Sequence, residues 1–408
     1  MWRRFEVAPD LFLPVSFFLT PRHWVNNKQY LHDCSFKNHC FFPVVHISCV
    51  SLFMANQVQQ SKSWKTRLLN AVGLTDEVTI KVYHGYGHEE SISLFGHVLK
   101  LGPLPRTRYN QTFLGNTASL LRLFMVKPLG GVTVQTEWNG RIIRAKTDTD
   151  GFFRLEWKGE MPLEVGWHQM TVRLVDYLVP VEGSGALYIP HDTQYGFISD
   201  IDDTFLISHS SNLRKRLFVL FTQNAWTRSP FEGVVRHYQL LAKGNTTPDA
   251  PNPFFFVSSS EWNLYDFLLE FSTRNGVPRG IFLLNIMKRF SQLLKTGQNN
   301  HQTKFTRIAR ILKTYPHQRF VLLGDSSQHD PYIYQDIVKH FGQQIRAVYI
   351  RDVFRKNQEK ARDVLSKIEA AGVPCCFFSN SHEAIKHSQK IGLIQETELI
   401  EAHEDSRT

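Results

Sequence analysis

The sequence predicts an α/β fold with a parallel sheet in the C-terminal half, preceded by an antiparallel β-sandwich. Hydrophobic residues make up 42% of the 408-residue chain and charged residues 21%, a balance that buries a core and excludes wholesale disorder. Beyond residue 194, apolar runs alternate with amphipathic helical patterns, as strands joined by crossover helices do. Between residues 78 and 190 the pattern is short alternating runs cut by turn residues, which points to a sandwich or barrel. The length alone suggests two or three domains.

Residues 1–53 hold Cys34, Cys40 and Cys49 and show no sustained period of 2 or 3.6, so they predict no fold. Met54 is a candidate translation start that would leave 1–53 untranslated, and residues 54–77 read as an amphipathic lead-in helix. The apolar stretches 11–19 and 41–54 are broken by Pro14, Pro43, His46 and Ser48. Both fall short of the roughly 18 apolar residues a spanning helix needs. Trp2-Arg3-Arg4 before the first stretch has the outline of a signal peptide, against which Glu6, Asp10 and Pro14 speak. Five cysteines, odd in number and without CxxC spacing, argue against a disulfide framework or a cysteine zinc site. A reducing, cytoplasmic location is expected.

In the β region, strands are expected at 78–83, 92–95, 131–137, 152–157, 170–174 and 186–189, with hairpin turns at Asn139-Gly140 and Asp150-Gly151. In the α/β region, 195–395, strands are expected at 195–199, 254–257, 280–284, 319–323, 346–350 and 373–378. Helices fall between them at 212–241, 262–274, 304–315, 333–341 and 357–371, and residues 396–408 form a tail.

Chemistry in a parallel sheet sits at the carboxyl ends of its strands. The first α/β strand ends in Asp200-Ile-Asp202-Asp203-Thr204. Carboxylates at that density repel unless a cation or proton compensates them. A solvated acidic turn or helix cap is the bland alternative. The second strand ends in Ser258-Ser259-Ser260, whose hydroxyls and amides suit a phosphate oxygen, although serine is also an ordinary cap. Lys304 lies on the helix before the strand that ends in Gly324-Asp325 and continues to Asp330. Oxygen ligands from Asp325 and Asp330 suit Mg²⁺. The four signals are 58, 46 and 21 residues apart, and their common order along one sheet makes coincidence a poor explanation.

At these residues the chain resembles the haloacid dehalogenase-like phosphohydrolases, which implies a Rossmann-like parallel sheet with a small cap, here between residues 204 and 254. It is similar, more narrowly, to the actin-patch type of Mg²⁺-dependent phosphatidate phosphatases. That match rests on residues 195–204, 256–265, 308–315 with Lys304, 320–334 and 348–353. The Gly85-Tyr-Gly87 stretch and the β region also look like that family's bacterial members. The resemblance implies that Asp200 is the nucleophile, forming an aspartyl-phosphate, and that Asp202 is the general acid and then base. It implies that Ser258 binds phosphoryl oxygens, with Ser259 and Ser260 competing for the role and Thr204 beside them. It also implies that Lys304 neutralises nucleophile and phosphate, and that Asp325 holds Mg²⁺ with Asp200 and the Asp202 backbone carbonyl, with Asp330 acting on the ion directly or through water. Gln302-Thr303 departs from the family, which more often shows His directly before the lysine.

Basic residues exceed acidic ones by ten, and residues 271–324 contain ten Lys or Arg and no Asp or Glu. Such a stretch near the mouth suits an anionic substrate and peripheral contact with an anionic membrane. Phe282, Leu283, Leu284, Ile286, Met287 and Phe290 offer a candidate apolar shelf for acyl chains, or else part of the core. The expected activity is hydrolysis of a lipid phosphomonoester, phosphatidate to diacylglycerol. A phosphatase for a soluble ester and a non-catalytic binding protein are the rivals. Nucleic acid is not expected, because the basic stretch lacks an aromatic stacking platform or a recognised module.

Overall fold

The structure, a computed structural model, describes residues 64–71, 74–103, 122–159, 163–175, 177–191, 195–201, 233–247, 250–287, 300–326 and 329–395. The expectations for residues 1–53, for Asp202 and Thr204, for the first part of the cap and for the tail lie outside these. Among the described residues no helix is long and apolar enough to cross a membrane.

Helix α1 (Trp64–Ala71) ends before residue 77, the bound expected for the lead-in, because Leu74 is fully buried in a strand. Ten strands follow: β1 (Leu74–Thr75), β2 (Thr79–Val82), β3 (Gly85–His88), β4 (Ser91–Pro103), β5 (Lys127–Pro128), β6 (Thr133–Trp138), β7 (Arg141–Lys146), β8 (Phe152–Trp157), β9 (Gly166–Leu174) and β10 (Glu182–Ile189). The path runs β1-β4-β3-β10-β9-β6-β7, with β2, β5 and β8 also on β4. Pairing is antiparallel except between β3 and β10, so the sheet is mixed. The alternation that marks these strands puts Leu94, Val134, Phe153, Leu155 and Val172 into one core, as period-2 burial requires.

The two turn signals behave differently. Asn139 (φ 48°) and Gly140 (φ 75°) make a two-residue hairpin between Trp138 and Arg141, the geometry that favours Asn-Gly. Asp150 accepts the Phe152 N–H at 3.1 Å and Gly151 takes φ 77°, yet β8 then pairs with β4 rather than β7. A turn forms there without a hairpin, because a turn signal fixes local geometry and not the partner strand.

The α/β part alternates β11 (Gly196–Asp200), α2 (Val234–Lys243), β12 (Phe254–Glu261), α3 (Tyr265–Arg274), β13 (Gly280–Asn285), α4 (Asn300–Thr314), β14 (Phe320–Asp325), α5 (Asp330–Phe341), β15 (Ile345–Arg351), α6 (Gln358–Ala370), β16 (Cys375–Phe378) and α7 (Ser381–Lys390). The six strands are all parallel in the order β13-β12-β11-β14-β15-β16. Every residue of β11 and β14 is buried, as central strands covered on both faces must be. The chain winds outward from β11 to β13, then returns to β14 and winds the other way. The switch point therefore falls between β11 and β14, where such sheets open a crevice at the strand tips.

One expectation is corrected here. The stretch 204–254 is expected to form a small cap, but α2 within it packs on the sheet. Tyr238 stacks on Phe254 at 5.3 Å and shares a 2.8 Å hydrogen bond with Ser199 Oγ. Its apolar residues Val234, Tyr238 and Leu241 join the core of the sheet, as an amphipathic face requires.

The two sheets share a core. Tyr83 of the mixed sheet stacks on Trp262 at 4.1 Å and 11°, Tyr86 meets Phe255 edge-on at 5.5 Å, and the His84 N–H donates to Tyr265 Oη at 3.0 Å.

Candidate active site

Asp200 is the last residue of β11 and Asp325 the last of β14. The ladder pairs Ser199 with Leu323, which sets Asp200 beside Gly324. Asp330 opens α5, in a first turn where the helix dipole favours a carboxylate. Gly324 makes the approach feasible: a Cβ there would stand 2.6 Å from Asp330 Oδ2. Lys304, in the second turn of α4, places Nζ 3.0 Å from Asp200 Oδ1 and also contacts Asp330 Oδ1. All four side chains are buried.

The electrostatics of this cluster are unbalanced. Asp200, Asp325 and Asp330 each offer an oxygen within 4.8 Å of the others, and Lys304 is the ammonium among them. Burial works against the charged lysine, but the Asp200 and Asp330 carboxylates outweigh it and raise its pKa. Three carboxylates face the Lys304 ammonium and, beside Asp325, the Arg351 guanidinium, so acids outnumber bases in this cluster, and buried charge without compensation is costly. An all-oxygen carboxylate set suits a hard cation such as Mg²⁺, Ca²⁺ or Mn²⁺, so the residues present fit a metal of that class.

Ser258 sits one residue beyond Val257, the ladder partner of Asp200. It is fully buried and its Oγ accepts the Ser260 N–H at 2.9 Å, while Ser259 is partly exposed. Strand β12 runs on through all three serines to Glu261, with a register shift after Val257.

Sequence reasoning missed two arginines. Arg307 donates from Nη1 to the Ser258 carbonyl at 2.9 Å, and its signal was its position three residues after Lys304, on a neighbouring face of α4. Arg351 pairs in register with Asp325, is buried, and lies over Phe378 at 5.0 Å. Burial lowers its pKa, opposed by Tyr238 and then Asp325. Its signal lay inside the 348–353 stretch already singled out.

The basic stretch does not form one rim. Arg279 and Arg319 precede β13 and β14, at the end of the sheet opposite Asp200, and Arg279 lies 3.9 Å over Trp167. Arg274 pairs with Glu270 at 3.2 Å. Lys304 is buried in the cluster, and Lys288, Arg289 and Lys295 lie outside the described residues. A parallel sheet returns each helix to the far end before the next strand, so charges adjacent in sequence part in space. The apolar shelf fares similarly: Phe282, Leu283, Leu284 and Met287 are core, Ile286 is 65% exposed, and Phe290 is outside the described residues.

Fold and site together define a parallel-sheet α/β domain with a lysine-bridged carboxylate cluster at its switch point. Residues 195–352 match the family model for the catalytic domain of phosphatidate phosphatase APP1. The chain is 32% identical over 184 residues to phosphatidate phosphatase APP1 of Saccharomyces cerevisiae, covering 43% of this chain and 30% of that protein. It is 25% identical over 158 residues to an uncharacterized Schizosaccharomyces pombe protein, covering 38% and 25%. The chain thus spans less than a third of the length of these curated relatives. A carbohydrate acetylesterase from Xanthomonas citri aligns over 77% of this chain and 75% of its own at 8% identity and a TM-score of 0.31, a likeness too loose to carry an argument.

Proposed function

We propose that this protein is a Mg²⁺-dependent phosphatase that hydrolyses a lipid phosphomonoester, phosphatidate to diacylglycerol, through an aspartyl-phosphate. The observation that carries the reading is the buried cluster of Asp200, Asp325, Asp330 and Lys304 at the strand tips, within a segment matching the APP1 catalytic domain. On this reading the parallel domain is of the haloacid dehalogenase type and the mixed-sheet domain is its sandwich-like companion.

Asp200 is the nucleophile: a carboxylate oxygen attacks phosphorus while the bond to the alcohol oxygen breaks, and Asp202 protonates the departing alkoxide. Asp202 then takes a proton from the water that hydrolyses the aspartyl-phosphate. Lys304 holds Asp200 in place and offsets charge on the phosphoryl group, and Ser258 binds its oxygens with Ser259 and Thr204 nearby. Asp200, Asp325, the Asp202 backbone carbonyl and Asp330, directly or through water, would hold the metal, which when bound would supply positive charge to the transferring group. Contact with an anionic membrane surface would bring the lipid to the site from a cytoplasmic protein.

Purified protein is given phosphatidate in mixed micelles, with Mg²⁺ or with EDTA, alongside a water-soluble phosphomonoester. Metal-dependent phosphate release that favours the lipid, and that Asp200→Asn abolishes, is expected. Equal rates on both esters would remove the lipid assignment, and full activity in Asp200→Asn would remove the nucleophile.

A further inference from the structure

The hairpin of β9 and β10 ends in an exposed apolar turn. Leu178 is 104% exposed, Val179 65% and Tyr177 43%, and Pro180 beside them is exposed as well. Single exposed apolar side chains are ordinary, but several adjoining ones on a projecting turn mark a contact surface. The turn is carried on paired strands: Arg173 and Glu182 are ladder partners at its base, and the Arg173 Nε lies 2.7 Å from Glu182 Oε1. The acid at the base of the turn is thus neutralised. Asp176 lies outside the described residues.

The turn stands at the end of the molecule where the parallel strands finish. The other end of β9 and β10 meets residues that precede those strands: Arg279, before β13, lies over Trp167, and the Pro251 carbonyl, before β12, accepts the Tyr188 hydroxyl at 2.9 Å. Glu182 lies six residues back from Tyr188 along β10, roughly 20 Å away. Next to Glu182, Gly183 packs against Ile80 of β2, and Lys81 contacts Asp266 in the first turn of α3, just past the tip of β12. Strand β10 therefore descends from the level of the strand tips, and residues 177–180 project beyond its upper end. Lys146 is exposed at the same level, since it pairs with Thr133, whose carbonyl accepts the Val175 N–H at 2.9 Å.

We infer that the turn at 177–180 inserts into the surface of a phospholipid bilayer and so brings the strand tips to face it. The inference rests on the reading of the substrate as a membrane lipid. Area selects the bilayer over a protein: a stable partner covers about 800 Å² on each side, far more than four residues on one turn present. Hydrophobic transfer is non-directional, so a bilayer receives such a turn without a complementary surface. The backbone groups of a turn are not paired as in a strand, so insertion stops at headgroup and upper acyl depth, where water still reaches them. The Tyr177 ring and hydroxyl suit that boundary, and Lys146 at the same level suits the lipid phosphates.

The test is co-sedimentation of the full chain, in EDTA, with phosphatidylcholine vesicles containing phosphatidate. Leu178→Ser combined with Val179→Ser is expected to weaken partitioning at least tenfold and to keep the parent's thermal midpoint, because both side chains are exposed. Ile142→Ser, an exposed apolar position beside the Asn139-Gly140 turn at the opposite end of β7 from Lys146, is expected to pellet as the parent does. Leu178→Trp is a second probe, whose fluorescence brominated phosphatidylcholine is expected to quench beyond that of the parent. Equal pelleting of parent and double variant, or no added quenching, overturns the inference. A parent dimer in vesicle-free sedimentation velocity that the double variant loses assigns the turn to a second copy and also overturns it. Turnover separates this inference from the proposed hydrolase. Vesicle binding through the turn without phosphate release from phosphatidate removes the hydrolase and leaves the turn's role standing, while phosphate release with binding that ignores the turn removes the turn's role alone.

Discussion

Lys304 Nζ stands 3.0 Å from Asp200 Oδ1 with both side chains buried, although 104 residues separate them in sequence. The pair exists because α4 crosses over the sheet on its way to β14 and delivers its second turn to the tip of β11. Lys304→Met would leave Asp200 and Asp330 without their ammonium. Breaking a buried pair from one side costs about 3–5 kcal/mol. Urea unfolding in EDTA at pH 7 should show that loss. Millimolar Mg²⁺ should recover part of it, by about 2.7 kcal/mol where the ion is at a hundred times its Kd. A variant as stable as the parent in EDTA would contradict the charge argument.

Gly324 tests the same cluster without touching a charge. A methyl at this position meets Asp330 Oδ2 at 2.6 Å and Tyr334 at 3.0 Å, and both neighbours are buried. Tyr334 is also tied down by donating to the Leu323 carbonyl at 2.8 Å. Gly324→Ala should therefore cost about 1–3 kcal/mol by overpacking and push Asp330 from the cluster. Mg²⁺-induced stabilisation, read as a shift in thermal midpoint, should shrink more than the midpoint in EDTA. Equal Mg²⁺ shifts in parent and variant would show that Asp330 does not serve the ion.

Much of this site was legible in the sequence for a physical reason. Asp200 and Asp325 end apolar runs, and a parallel sheet fixes where run ends go. The six α/β strands were readable because buried parallel strands are continuous apolar stretches. What was not legible depends on pairing across long separations. Strands β3 and β7 carry Gly85-Tyr-Gly-His88 and Arg141-Ile-Ile-Arg-Ala-Lys146, too polar or too glycine-rich to show clear alternation. Both are held by partner strands more than by their own pattern. The helix at 234–243 shows the same limit: its amphipathic pattern predicts a helix but not whether the apolar face meets a sheet or a substrate.

Acid should destabilise the fold through two histidines. Burial lowers the His97 pKa from 6.5 to about 3, with Lys81 adding to it. Burial likewise lowers His237 to about 3, followed by Arg351. Both stay neutral in the folded protein while the unfolded chain takes up protons as pH falls through 6.5. Their stabilising effect is thus complete above that value and lost progressively toward pH 3. Between pH 7 and pH 5 each should cost about 2 kcal/mol. Urea midpoints across that range should fall, and His97→Gln should flatten the dependence even though it loses the 3.0 Å contact with Tyr83 Oη. A His97→Gln slope equal to the parent's would remove His97 from the account.

Trp262 is the position at which the two sheets should be most sensitive to truncation. Its ring stacks on Tyr83 at 4.1 Å, and Phe95 and Phe152 from the mixed sheet lie 5.6 and 6.3 Å away. Removing a buried aromatic of this kind costs about 3–5 kcal/mol. Because the core is continuous across the seam, the loss should lower the stability of both sheets together. Far-UV circular dichroism and the fluorescence of the remaining tryptophans should report coincident transitions in the parent, as a cooperative unit requires. Trp262→Ala should move both to lower denaturant or split them, the mixed sheet then melting first because its own core is smaller. A variant whose transitions coincide at the parent's midpoint would show that the stacking contributes nothing to joining the domains.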